Sequence, residues 1–245
     1  LIAYMLHDKI SSQSELERYT QVPVVGSVPK YRRAKSLPAV LVVNESSKLA
    51  VSEAFRTIRT NLQFMGLSGD RQIVSVTSTV STEGKTFVAV NLASIMAMSG
   101  RKTVLIDLDM RRPKIHFAFD ADNTALGMST VLIEKYTLDD CIQQSKVDNL
   151  DYIPAGAIPP NPAELIGSQK FTDTLEELKA RYDLIVIDTP PVGLVTDGML
   201  VMEKADVPLY VVRADFSRKV FIKNIDRIQT TRKYENLSLI LKSIE

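Results

Sequence analysis

Short runs of consecutive apolar residues recur along this chain. Each gives way to a longer stretch in which apolar positions return every three or four residues. Ile73-Val74-Ser75-Val76-Thr77, Thr103-Val104-Leu105-Ile106-Asp107 and Leu184-Ile185-Val186-Ile187-Asp188 are runs of the first kind, joined by a weaker one over 150–154 and by others over 207–212 and 237–241. The helical periodicity fills 86–99, 168–182, 196–204 and 217–234, with Gly100 placed as a C-cap and Ser168 as an N-cap. Near-continuous apolar strands that alternate with helices predict an α/β fold: a mostly parallel β-sheet with helices on both faces. Upstream, Val22-Pro23-Val24-Val25-Gly26-Ser27-Val28-Pro29 reads as a short extended segment, and 30–47 as a polar linker. From 47 to 67, Leu49, Val51, Ala54, Phe55, Ile58, Leu62 and Phe64 repeat at helical spacing.

Composition narrows the function classes. The 245 residues are 45% hydrophobic and 24% charged, as in ordinary globular domains, and the net charge of +1 gives no global field for nucleic acid. One cysteine, Cys141, excludes a disulfide framework, and the two histidines, His7 and His116, are too few for a histidine-based zinc site. The chain starts on an apolar stub without an initiator methionine, so a fragment of a longer protein is expected. Lys30-Tyr31-Arg32-Arg33-Ala34-Lys35 follows, which suits either the cytoplasmic side of a membrane protein or a solvated loop.

In a parallel sheet of this kind, ligands sit beyond the carboxyl ends of the strands. Three strand ends carry chemistry. After the strand at 73 comes Ser78-Thr79-Val80-Ser81-Thr82-Glu83-Gly84-Lys85-Thr86, then a helix. Amides at a helix N-terminus bind phosphate, Gly84 allows close backbone approach, Lys85 would reach the β- and γ-phosphates and Thr86 would ligate Mg²⁺. The first glycine of the usual loop is replaced by Thr79. After the strand at 103 comes Asp107-Leu108-Asp109-Met110-Arg111-Arg112-Pro113, with two carboxylates suited to Mg²⁺ or, for one of them, to accepting a proton. After the strand at 184 comes Asp188-Thr189-Pro190-Pro191, a lone acid of the Walker B kind. Glu53, Arg56 and Arg59 stand three residues apart on the predicted helix, as either a salt-bridged solvent face or a docking edge for another subunit.

Together these motifs resemble the bacterial tyrosine kinases, the cytoplasmic kinase domains of polysaccharide co-polymerases. "YTQVPVVGSVP" at 19–29 also resembles the segment that leads into that domain. The resemblance implies a P-loop NTPase-like fold, with 1–46 as juxtamembrane segment and linker and 47–245 as the kinase domain with its oligomerisation helix. It implies ATP and Mg²⁺ as cofactors, held by Ser81, Thr82, Glu83, Gly84, Lys85, Thr86 and Phe87. Thr86, Asp109 and Asp188 would hold the metal, directly or through water. Lys85 and Asp107 would be catalytic, Asp107 as base for the tyrosine hydroxyl. Glu53, Arg56 and Arg59 would pack between subunits of a homo-oligomeric ring.

The implied partner is the tyrosine-rich C-terminal tail of a neighbouring subunit, phosphorylated in trans to govern polysaccharide export. The implied location is the cytoplasmic face of the bacterial plasma membrane, beside the membrane-spanning part of the same protein, with no nucleic acid involved. The chain departs from the family pattern at Ser81-Thr82, at Lys242 (where relatives place an adenine-facing asparagine), and in having Tyr234 as the only tyrosine of its last thirty residues. The alternatives are an ATPase switch of the ParA/MinD type, whose loop carries a lysine where this chain has Val80, and a non-catalytic nucleotide-binding regulator of an exporter.

Overall fold

The computed structural model describes residues 8–31, 41–43, 49–67, 69–121, 125–193, 197–232 and 234–243. The basic stretch from Arg32 to Lys35, most of the expected linker and Thr196 lie outside them. In chain order the elements are α1 (Gln13–Tyr19), β1 (Val24–Val28), α2 (Ala50–Phe64), β2 (Gln72–Ser78), α3 (Lys85–Met98) and β3 (Thr103–Asp107). A 3-10 turn (Ile115–Phe119), α4 (Met128–Leu132), α5 (Leu138–Cys141), β4 (Gln143–Gln144) and β5 (Leu150–Ile153) follow. The rest comprises α6 (Pro162–Ile166), α7 (Gln169–Lys179), β6 (Leu184–Asp188), α8 (Asp197–Met202), β7 (Val207–Arg213), α9 (Lys219–Arg232) and β8 (Ser238–Lys242).

The eight strands form one sheet in the order β1-β8-β7-β2-β6-β3-β5-β4, parallel throughout except for β4. Alternate side chains of each strand enter different cores, as pleating requires. Val74, Val76, Leu184, Val186, Leu209 and Val211 pack against α2 and α3. Ile73, Ile185 and Ile187 point to the opposite face, under α6, α7 and α8, while Tyr210 and Val212 meet α1 and α9. The expected parallel sheet with helices on both faces is therefore the observed architecture.

α3 has almost no polar face, because it fills the middle of one layer. α2 lies beside it and buries Phe55, Ile58 and Leu62 completely, each contributing about 1.5–3 kcal/mol. Ser168 caps α7 by accepting the Phe171 amide at 3.2 Å. The segment before the expected boundary at residue 46 folds with the rest. β1 extends the sheet at β8, Ile10, Leu16 and Val22 enter the core, and Val42 and Val43 donate their amides to the buried Asn91 carbonyl oxygen at 2.8 and 3.2 Å. Among the described residues, no helix is long and apolar enough to cross a membrane.

Candidate active site

β2 delivers the chain to the loop 79–84, and α3 starts at Lys85 immediately behind it. Gly84 has φ of 100°, in the left-handed region, and a Cβ there would lie 2.5 Å from Lys242 Cδ. The left-handed backbone requires glycine there, whereas the Lys242 contact is with the outer part of a flexible side chain. Thr82 also has positive φ, 73°, which is costly for a β-branched residue. Arg213 at the end of β7 holds this turn by donating to the Thr82 carbonyl at 3.1 Å. Ser81 is half-buried and Thr82 exposed at the loop tip.

Glu83 was expected among the nucleotide-binding residues. Its carboxylate instead turns inward, accepting the Val80 amide at 2.8 Å and the Ser217 hydroxyl. Burial raises its pKa against those bonds. Its side chain ties the loop at Val80 to Ser217 beyond β7.

Lys85, 6% exposed, donates to Asp109 Oδ2 at 2.7 Å and lies 3.6 Å from Asp188 Oδ1. Burial works against its charge, but Asp188 and Asp109 outweigh it and hold the pKa above the ordinary lysine value. Thr86 donates its hydroxyl to Asp188 Oδ2 at 2.6 Å. The other oxygen, Asp188 Oδ1, is buried without a hydrogen-bond partner. Asp107 and Asp188 are paired in register on β3 and β6. Burial, then the Asp188 charge, pushes the Asp107 pKa up to about 7, and burial also raises that of Asp188.

Asp107 and Asp109 do not work alike. Asp107 accepts the amides of Asp109, Lys114 and Ile115 at 3.1, 3.0 and 3.1 Å, tying down the loop after β3. Asp109 points to Lys85 and also accepts the Arg112 amide at 3.2 Å. Phe87 follows in the first turn of α3, half-buried.

Asp109 and Asp188 thus converge on Lys85, and Thr86 joins the group through Asp188. Among the described residues no group of three or more His, Cys, Asp or Glu is set to hold a metal by itself. The donor set still fits Mg²⁺, which takes few protein oxygens and keeps waters and phosphate oxygens, and Asp188 Oδ1, buried with no hydrogen bond and only the 3.6 Å ion pair to Lys85, is such an oxygen.

Three contacts were not anticipated from sequence. Arg111 reaches across to the buried Asp197 at the start of α8, at 3.2 and 3.3 Å. Ser217 holds Glu83, and Arg213 holds Thr82. Arg213 ends β7 and Ser217 lies just past it, so the strand-end rule that found the acids would have found them too. Glu53 and Arg56 pair on the outer face of α2, where Arg59 is half-buried.

This fold and loop define a P-loop domain, and the family model described as "AAA domain" matches residues 71–240. Tyrosine-protein kinase YwqD of Bacillus subtilis is 37% identical over 78% of this chain and 79% of its own length. The kinase domain of the Escherichia coli tyrosine kinase ETK superposes with a TM-score of 0.80 at 28% identity, covering 94% of this chain and 92% of that one. The cell division ATPase MinD of Pyrococcus furiosus reaches a TM-score of 0.57 at 25% identity over 69% of each chain. The chain belongs to the bacterial tyrosine kinases, as the motifs implied. The MinD likeness stops at the shared P-loop fold.

Proposed function

We propose that this domain binds Mg·ATP across the loop 79–87 and transfers the γ-phosphoryl group to a tyrosine hydroxyl. The observation that carries this is the arrangement around Lys85: a buried lysine at a helix N-terminus, held by Asp109 and Asp188, with Asp188 Oδ1 making no hydrogen bond beyond its 3.6 Å ion pair to Lys85. Phosphoryl transfer asks for positioning and charge neutralisation more than for covalent chemistry. Lys85 exchanges its carboxylates for phosphate oxygens when nucleotide enters. The loop amides and Gly84 fix the phosphate chain. Mg²⁺, held by Thr86, Asp188 and Asp109 directly or through water, would supply the remaining positive charge. The bond from the γ-phosphorus to the bridging oxygen breaks, ADP leaves, and a bond forms to the tyrosine oxygen. The tyrosine proton passes to Asp107, whose raised pKa near 7 matches a proton acceptor. One of its three amide bonds has to open for that.

The acceptor in this reading is the tyrosine-rich tail of a neighbouring subunit. Glu53, Arg56 and Arg59 dock the copies into a ring. The outer edge of α2 supports this, since Phe64 there is 86% exposed. The ring sits at the cytoplasmic face of the bacterial plasma membrane, joined to a membrane-spanning part of the same protein, and regulates capsule or exopolysaccharide export. The test is incubation with labelled ATP, Mg²⁺ and a tyrosine-bearing tail peptide. Phosphotyrosine formation is expected, and release of free phosphate alone would return the chain to the ATPase-switch alternative.

A further inference from the structure

A tyrosine kinase needs an acceptor whose hydroxyl is accessible and whose backbone lies outside regular structure. Most tyrosines of this chain fail on one count or the other. Tyr152, Tyr182 and Tyr210 are buried and bond Gln143, Asp151 and Thr79. The Tyr234 hydroxyl is buried, and Tyr31 packs against the core. Tyr19 ends α1, with the Lys219 ammonium 5.1 Å from its ring centroid. Among the described residues, Tyr136 meets both conditions. It is 40% exposed, in the turn between α4 and α5, where 133–137 are all exposed. No described residue bonds its hydroxyl.

The turn is held at its base and open at its tip. Glu134 takes a positive φ of 57° as the chain leaves α4. Thr137 caps α5, accepting the Asp140 amide at 3.3 Å, while the Asp140 carboxylate accepts the Thr137 amide at 2.9 Å. Glu134 lies 3.8 Å from Lys170 near the start of α7, and Asp139 pairs with Arg181 just past its end. α4 itself is tied to the end of β5, where the Met128 amide donates to the Pro154 carbonyl at 2.8 Å. The phosphate loop of the same chain follows β2, and β6 and β3 stand between β2 and β5. Three strand spacings are about 14 Å. α4 and α5 also pack in the core opposite the one that α3 fills. Transfer to Tyr136 therefore runs between two copies of the chain.

Charge indicates which surface receives the turn. Glu134, Asp139 and Asp140 surround Tyr136 against Lys135 alone, a net charge of −2 over 134–140. The lip of the catalytic centre is basic, since Arg111, Arg112 and Lys114 follow Asp109 closely. The Arg112 amide donates to Asp109 Oδ1 at 3.2 Å and the Lys114 amide to Asp107 Oδ2 at 3.0 Å, so both side chains are rooted beside the acids. Arg112 is exposed and Lys114 half-buried. Patches of opposite sign steer encounter and fix register. We propose that Tyr136 is a phosphorylation site of this domain, modified by a second copy whose Arg112 and Lys114 receive the acidic turn. This rests on the tyrosine-transfer reading above, and adds an acceptor on the folded body to the tail. The γ-phosphorus parts from the bridging oxygen of ATP and bonds to Tyr136 Oη, ADP leaves, and the hydroxyl proton passes to Asp107 of the second copy.

The test incubates the wild type with labelled ATP, Mg²⁺ and a tyrosine-bearing peptide, and maps phosphotyrosine by mass spectrometry of a digest. Tyr136 should carry more label than Tyr19. In a second arm the wild type acts on Lys85→Met, which is inactive itself and should be labelled at Tyr136. Adding Glu134→Gln and Asp139→Asn to that acceptor should slow its labelling about tenfold, because surface charges act on the rate of encounter. A labelled peptide with Tyr136 bare in the wild type would overturn the proposal, whether or not the Lys85→Met acceptor folds. So would equal label on Tyr136 and Tyr19, which would leave exposure as the sole cause, and so would an unchanged rate for the neutralised acceptor. Absence of phosphotyrosine from peptide and chain alike would overturn the tyrosine-transfer reading and this inference together.

Discussion

Replacing Lys85 by methionine removes the cation set between Asp109 and Asp188, 2.7 and 3.6 Å away. At an effective permittivity of about 20, those separations correspond to gross attractions of about 6 and about 5 kcal/mol. Desolvating each ion offsets several kcal/mol of that. Truncating one partner of such a buried pair costs about 3–5 kcal/mol, because the partner charges stay behind. Here Asp107, Asp109 and Asp188 are left together, all buried. Lys85→Met should therefore abolish tyrosine transfer and also lower the stability of the nucleotide-free domain by about 3 kcal/mol, without unfolding it.

A double-mutant cycle isolates the pair. Asp109→Asn alone should cost less than Lys85→Met, since Lys85 keeps Asp188. The double variant should be less destabilised than the sum by about 2 kcal/mol. Urea denaturation with a chelator present, at pH 8, measures all four corners. Additivity within about 0.5 kcal/mol would refute the arrangement, as would unchanged ATP turnover in Lys85→Met. Mg²⁺ adds a check from the other side. It should stabilise Lys85→Met more than wild type, because a divalent cation replaces the lost charge.

Three further outcomes follow from the same geometry. Asp107→Asn should spare Mg·ATP binding better than tyrosine transfer, and equal loss of both, read by titration and phosphotyrosine assay, would remove Asp107 from the proton-acceptor role. The nucleotide-free domain should lose stability as pH rises: burial raises the pKa values of Asp107 (to about 7), Asp188 and Glu83, so the folded state binds more protons than the unfolded one above the ordinary carboxylate range. The slope should be at most about 1.4 kcal/mol per pH unit for each proton, and it should be shallower in Asp107→Asn; a wild-type stability that is flat or rising between pH 5 and 7 would contradict it. Arg56→Ala combined with Arg59→Ala should shift the assembly toward monomer, and an unchanged mass by light scattering would return those residues to a solvated face.

Much of this was legible because buried parallel strands announce themselves. Runs such as Leu184–Asp188 have only one plausible use, and a charge at the end of such a run needs a reason. Gly84, Lys85, Thr86 and the three aspartates were found that way. The short helices α4, α5 and α6 were not, since four or five residues complete little more than one turn and show no period. Nor was the two-residue β4. β1 was visible as an extended segment, but its place beside β8 depends on residues more than two hundred positions away.

The site shows the same division, and it follows from the order of the strands. Local reading finds which strand ends are charged. It does not find that Asp109 meets Lys85, that Arg111 meets Asp197 or that Glu83 turns to Ser217. Those pairings exist because the sheet runs β8-β7-β2-β6-β3. With that order, the strand carrying the phosphate loop separates two carboxylate-bearing ends from two cation-bearing ends. The same acids and bases in another strand order would have mixed around the loop. The separation of the three aspartates from Arg213 and Lys242 is thus a property of topology written on top of local motifs.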